Sequence, residues 1–286
     1  VAALGVVSFA LIAALIPMDG KHEGRQGSIL DEIKVLGREP VYSSLLVIIL
    51  QTVGQFALCA GPAFASSNVF RIAIRGKGAH AAMPHNGIDP VPAACQMVQA
   101  FQNILTRNKH PLDTGVISVT KIHAGEAVNV VPDDCVVEGT VRTFTNEVLE
   151  LIERRMKTIA EATCAAFEAQ CEFEFQRQYP ATVNHVAETD FARRVLGEVV
   201  GAKNVLDFRP TMGAEDFSYF LQAIPGCYFL IGNGDGEHRE GGHGLGPCML
   251  HNPSYDFNDD LIPLGGSAWV RIAEAWLAGP LRGASR

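Results

Sequence analysis

Apolar and polar residues alternate with period two through Val69-Phe70-Arg71-Ile72-Ala73-Ile74-Arg75, which predicts a half-buried strand with one apolar and one basic face. Gly76-Lys77-Gly78 follows as a turn. Asp89-Pro90 then supplies an N-cap and a first helical residue, and Val91, Ala94, Val98, Phe101, Ile104 and Leu105 recur at helical spacing. Residues 116–122 and 135–141 read as strands. Thr145-Asn146-Glu147 opens a long helix on which Leu149, Ile152, Met156, Ile159 and Thr163 fall three or four apart, and residues 171–179 alternate again as a strand. The order strand, helix, strand, strand, helix, strand is that of the split βαβ, ferredoxin-like unit.

The flanks follow a different pattern. After Pro180 come helices over 188–200, 215–221 and 264–278 around a short strand, 227–231. The run Leu45-Leu46-Val47-Ile48-Ile49-Leu50 has the length and β-branched content of a buried strand. Residues 1–16 are apolar throughout, but no basic residues precede them and they fall short of the roughly 20 residues a membrane span requires. An interior element is therefore expected there, and a membrane segment is the alternative. The fold class expected is α/β: residues 68–180 form a ferredoxin-like domain inserted between 1–67 and 181–286, which pack together as one α/β domain.

Charge narrows the partners. Lys plus Arg number 23 against 31 Asp plus Glu, a net charge of −8, so the 286-residue chain lacks the basic balance that nucleic acid or an anionic membrane demands. A small molecule or another protein is the expected partner. Seven cysteines without a CxxC pair read as reduced thiols of a cytoplasmic protein.

Few residues invite chemistry. His80, in the glycine-rich stretch after the first strand, can polarise a carbonyl or meet a carboxylate; an exposed loop histidine is the plainer alternative. Asn129 precedes Val130-Val131-Pro132, and Arg142 ends an apolar strand where its fork suits a carboxylate or a rim salt bridge. Glu215-Asp216 stands at an expected helix start, where the helix dipole alone explains acidic residues. His251, ahead of an acidic stretch, has the setting of a metal ligand or of a solvated loop residue. His238 and His243 lie in a glycine-rich loop and are not expected to act. No Walker loop, HExxH or GxSxG occurs.

Taken together, Gly76 to His85, Asn129-Val130-Val131-Pro132, Gly139-Thr140-Val141-Arg142-Thr143-Phe144, Met212-Gly213-Ala214-Glu215-Asp216-Phe217 and His251-Asn252-Pro253 stand in the order of one family. The chain resembles the amidohydrolase branch of the zinc aminoacylase/carboxypeptidase family: hippurate hydrolases, N-acyl-amino-acid amidohydrolases and indole-acetyl-amino-acid hydrolases. The resemblance implies a dinuclear manganese or zinc site in the larger domain and a lid that forms a homodimer. It also implies hydrolysis of the amide bond of an N-acyl amino acid beside a free carboxylate. His251 would then be a metal ligand, His80 an oxyanion donor acting within one chain or across the dimer, and Asn129 and Arg142 the carboxylate holders, with Glu215 near the site. The family's Cys-Gly-His-Asp, Glu-Glu and His-Asn-Trp-Pro segments are absent ahead of the lid. A gapless placement on residues 9–17 sets the Glu-Glu pair at Asp19-Gly20, leaving Asp19 as a shortened general base and the N-terminal part incomplete and divergent. The alternative expectation is a non-catalytic chain that dimerises or binds a carboxylate ligand through its lid.

Overall fold

The computed structural model describes residues 54–234, 255 and 257–279, and the backbone of 45–47. Its strands are β1 (Leu45–Val47), β2 (Phe56–Leu58), β3 (Gly61–Phe64), β4 (Ser67–Arg75), β5 (Ala79–His80), β6 (Gly115–Ala124), β7 (Val130–Val131), β8 (Asp134–Thr143), β9 (Gln170–Tyr179), β10 (Thr182–Asn184), β11 (Val205–Asp207) and β12 (Phe229–Ile231). The helices are α1 (Pro90–Asn103), α2 (Asn146–Ala166), α3 (Val186–Val200), α4 (Ser218–Ala223) and α5 (Leu261–Ala278). They fall into two compact units, one of Gly61–Val183 with Arg209–Leu221, the other of Val1–Ala60, Asn184–Phe208 and Gln222–Arg286.

In the first unit the sheet order is β6-β8-β4-β9, antiparallel at every junction. This is the ferredoxin-like arrangement the periodicity predicts. Along β8 the pleat buries Cys135, Val137, Val141 and Thr143 and turns Val136, Glu138, Thr140 and Arg142 to the half-buried face. The buried side meets both helices: Ile72, Ile74, Met97, Phe101, Ile152 and Met156 are fully enclosed in one cluster. Each such side chain contributes roughly 1.5–3 kcal/mol through removal from water. Phe70 meets Phe101 edge to face at 6.2 Å. The expected caps operate: Asp89 Oδ1 accepts from Val91 N at 2.9 Å and Thr145 Oγ1 from Val148 N at 3.3 Å. At Gly139 a Cβ would overlap the Ser118 carbonyl and the Phe70 ring, so only glycine lets β6, β8 and Phe70 approach this closely.

The other face carries an alternating row of charge. Lys121 pairs with Glu138 at 3.3 Å, Arg71 with Glu138 at 4.0 Å and with Glu174 at 3.7 Å, and Arg75 with Glu172 at 3.3 Å. Such exposed pairs add little stability, about 0–1 kcal/mol each, but opposite charges across strands favour this register. Residues 209–221 belong to this unit through backbone bonds: Thr211 N donates to Ala63 O at 3.0 Å, and Ala65 N to Gly213 O at 2.9 Å.

In the second unit the described strands run β1-β12-β2-β11, with β12 parallel to β1 and antiparallel to β2. Phe56, Leu58, Leu196, Phe229, Ile231 and Ile272 form its core with α3 and α5. Asn184 ties the chain here, donating to Cys59 O and Tyr228 O and accepting from Tyr228 N at 2.7 Å. The run at 45–50 supplies β1 over Leu45–Val47; residues 48–50 and 1–16 lie outside the described residues. Among the described residues, no helix is long and apolar enough to cross a membrane.

Candidate functional site

The β4/β8 ladder reaches its end at Arg75 and Asp134 but the chain does not diverge there. Gly76 N donates to Asp133 O at 2.8 Å, and Gly78 N donates to the Asp133 carboxylate at 2.8 Å. Pairing then resumes as a two-strand ribbon, Ala79 opposite Val131 and His80 opposite Val130, closed by Ala81 N to Asn129 O at 3.0 Å. Gly76 permits this turn because any Cβ would overlap the Ile88 carbonyl, whose oxygen accepts from Lys77 N at 2.9 Å. His80, read from the sequence as a loop residue, is therefore a strand residue: the backbone groups of 79–81 find partners on 129–131, which a free loop would leave to water.

The ribbon holds the backbones of 79–81 and 129–131 together, so His80 and Asn129, both exposed, lie at the same end of the sheet. His80 Nδ1 accepts from Ala82 N at 3.1 Å. A neutral ring holding that bond carries its proton on Nε2, so it presents a donor, the form needed to meet a carbonyl oxygen that gains negative charge. Asp133, which orients the turn beneath it, was not singled out in the sequence. The only signal was its place in Pro132-Asp133-Asp134, two acidic residues at a strand start.

Arg142 lies elsewhere. It sits opposite Val116 near the far end of β8, half-buried. Burial holds its guanidinium below the usual arginine range, and no described carboxylate offsets that desolvation. The steps from Asp134 to Arg142 along β8 span about 27 Å at roughly 3.4 Å per residue, and the ribbon continues the ladder beyond Asp134. Within one chain the structure thus joins His80 to Asn129 and sets Arg142 at the opposite end of the sheet.

Glu215 is half-buried in the turn before α4, its carbonyl accepting from Ser218 N at 3.2 Å and Thr182 Oγ1 at 3.4 Å. The helix expected from residue 215 starts at Ser218, so Glu215 and Asp216 precede it and are not in its first turn. His251 and Asp19 lie outside the described residues. Among the described residues, no three His, Cys, Asp or Glu side chains gather as a metal would require, so the described part alone does not fit a dinuclear centre.

Comparison with known proteins agrees with this architecture. Residues 66–168 match the model of a peptidase dimerisation domain. The chain is 39% identical to N-acetyl-L-cysteine deacetylase of Bacillus subtilis (strain 168), over 73% of this chain and 47% of that protein. It is 32% identical to IAA-amino acid hydrolase ILR1-like 4 of Arabidopsis thaliana, over 78% of this chain and 50% of the relative. Among solved structures, the YXEP protein of Bacillus subtilis, described as a dinuclear metal binding peptidase of the M20 family, superposes with a TM-score of 0.66 at 25% identity, covering 85% of this chain and 59% of that one. The chain spans about half the length of these curated relatives. With the lid motifs in family order, the ferredoxin-like unit in place and these relatives at such identity, residues 66–168 are a peptidase dimerisation domain and the chain is similar to the M20 amidohydrolases.

Proposed function

We propose that the protein is a metal-dependent amidohydrolase of N-acyl amino acids, hippurate-like substrates among them, and that it works as a homodimer through the unit containing residues 66–168. The observation that carries this reading is the separation of Arg142 from the His80–Asn129 ribbon along β8. Both ends carry groups suited to an N-acyl amino acid, yet the strand between them is far longer than such a molecule. One substrate can meet both only if Arg142 comes from one copy and His80 with Asn129 from a second.

In this arrangement Arg142 pairs with the substrate carboxylate. A guanidinium already partly stripped of water favours that pairing over solvent. His80 Nε2–H donates to the acyl oxygen as it becomes negative when water adds to the acyl carbon, an effect worth about 10²–10³ in rate for one well-placed donor. Asn129 holds the adjoining polar group. The C–N bond then breaks, the amine leaves with a proton, and a carboxylic acid and an amino acid result. A divalent ion, manganese or zinc, supplies Lewis acidity in such a reaction. His251 would be among its ligands and Asp19 would take the acid–base role, both outside the described residues.

The test is hydrolysis of N-acetyl and N-benzoyl amino acids with manganese or zinc added, beside the same compounds as carboxyl methyl esters. Turnover that requires metal, prefers the free acid and falls in His80→Ala is expected. Retained binding of the free acid without turnover under any metal contradicts the proposal and leaves the chain a carboxylate-binding role.

A further inference from the structure

The ribbon that carries His80 and Asn129 also presents apolar side chains to water. Val130 is 50% exposed, Met83 48%, and Val128 wholly so. Pairing fixes where Val130 stands. His80 is directly opposite Val130 and Ala79 directly opposite Val131, so His80 and Val130 project from one face of the ribbon, Ala79 and Val131 from the other. Burial agrees: Val131 is buried and Ala79 half-buried, whereas His80 and Val130 are exposed. Side chains directly opposite in an antiparallel pair have Cβ atoms about 5 Å apart, so Val130 flanks His80 on the open face. The chain turns straight after His80, with Met83 N donating to His80 O at 2.7 Å, which keeps Met83 at the same end. Single exposed apolar residues are ordinary, but three at one tip, around a hydrogen-bond donor, mark a surface for recognition.

We propose that Val130, with Met83, forms the wall for the acyl group of the substrate and sets its size, a role that rests on the site being shared between two copies. The connectivity of an N-acyl amino acid decides the side on which the acyl group lies. Its carboxylate and its acyl chain leave the amide in opposite directions. With the carboxylate on Arg142 of one copy and the acyl oxygen on His80 of the second, the acyl chain lies toward the copy that supplies His80. Oxygen and chain share one carbon, so the chain starts beside the atom that His80 meets. The methyl of an acetyl group ends there, short of Val130. A branched, longer or aromatic acyl group continues to Val130 and Met83 and exchanges water for apolar contact. Preference for a bulky apolar acyl group over acetyl therefore comes from the same copy as His80, not from the one that binds the carboxylate.

The test compares kcat/KM for N-benzoylglycine and N-acetylglycine with manganese or zinc added. The intrinsic reactivities of the two amides cancel when their ratio is compared between variants. Val130→Ser is expected to lower the benzoyl-to-acetyl ratio about tenfold, as loss of apolar contact with one part of a substrate does. Met83→Ser should lower it less and Val130→Ile should retain it, with the dimer intact by sedimentation in all three. Asp133→Ala, which removes a bond beneath the ribbon, should slow both substrates alike and leave the ratio as it was. An unchanged ratio in Val130→Ser overturns the inference and leaves the shared site standing. A Val130→Ser chain that no longer dimerises makes the tip a subunit contact and overturns it as well. No turnover of either compound by the wild-type chain overturns the amidohydrolase reading and this inference together.

Discussion

The His80–Asn129 ribbon and the Arg142 end of β8 hold polar groups by different means. Arg142 belongs to an interior strand with β6 on one side and β4 on the other, so its position is set by two long ladders and by the core beneath them. His80 and Asn129 depend on two-residue strands, a short series of backbone bonds and one carboxylate, Asp133. The first group is placed by the stability of the whole unit, the second by a local device that can shift without unfolding anything. The difference teaches that substitutions at the two ends should separate: those around Arg142 change affinity for a carboxylate or the stability of the sheet, those around the ribbon change the chemical step.

Arg142→Ala is expected to have the largest effect, lowering kcat/KM for N-acyl amino acids about 10²–10³-fold, mainly through KM, as loss of one partner of a buried charge pair does. The melting temperature should hardly move, because no described carboxylate is left unpaired; equal losses on free-acid and ester substrates would break the contrast. Gly139→Ala strikes the sheet itself. Its Cβ overlaps backbone and a core ring, so denaturant unfolding should show a loss of about 3 kcal/mol, with both ends impaired together. Asp133→Ala should be the mildest, about 1 kcal/mol in stability and about tenfold in kcat, with KM little changed, since it removes one acceptor beneath the ribbon. A change in KM alone would show that the ribbon positions nothing in the reaction.

The sheet and helices of the lid-like unit were legible because each carries a periodic signal with a cap beside it. Arg71 and Arg75 alternate with Ile72 and Ile74, and Asp89 and Thr145 cap the helices expected after them. The ribbon was not legible: two-residue strands are too short to show a period, and glycines around His80 suggest a loop by composition. Nor was the docking of residues 209–221 onto 61–183, which rests on backbone bonds that any side chains could accompany. Among candidate residues, the order of motifs along the chain pointed to His80, Asn129 and Arg142 as a group. It carried no sign that β8 holds them apart, because distance along a strand appears only once the register is known.

The proposed site is shared between two copies, and mixing subunits tests this most directly. At substrate well below KM, Arg142→Ala and His80→Ala chains are each expected to be nearly inactive alone. Unfolded together and refolded in equal amounts, they form hybrids in half of the dimers, each with one intact site of two, so activity should recover to about a quarter of the wild-type value. Recovery no greater than the sum of the separate variants, with hybrid dimers demonstrably present, would contradict it.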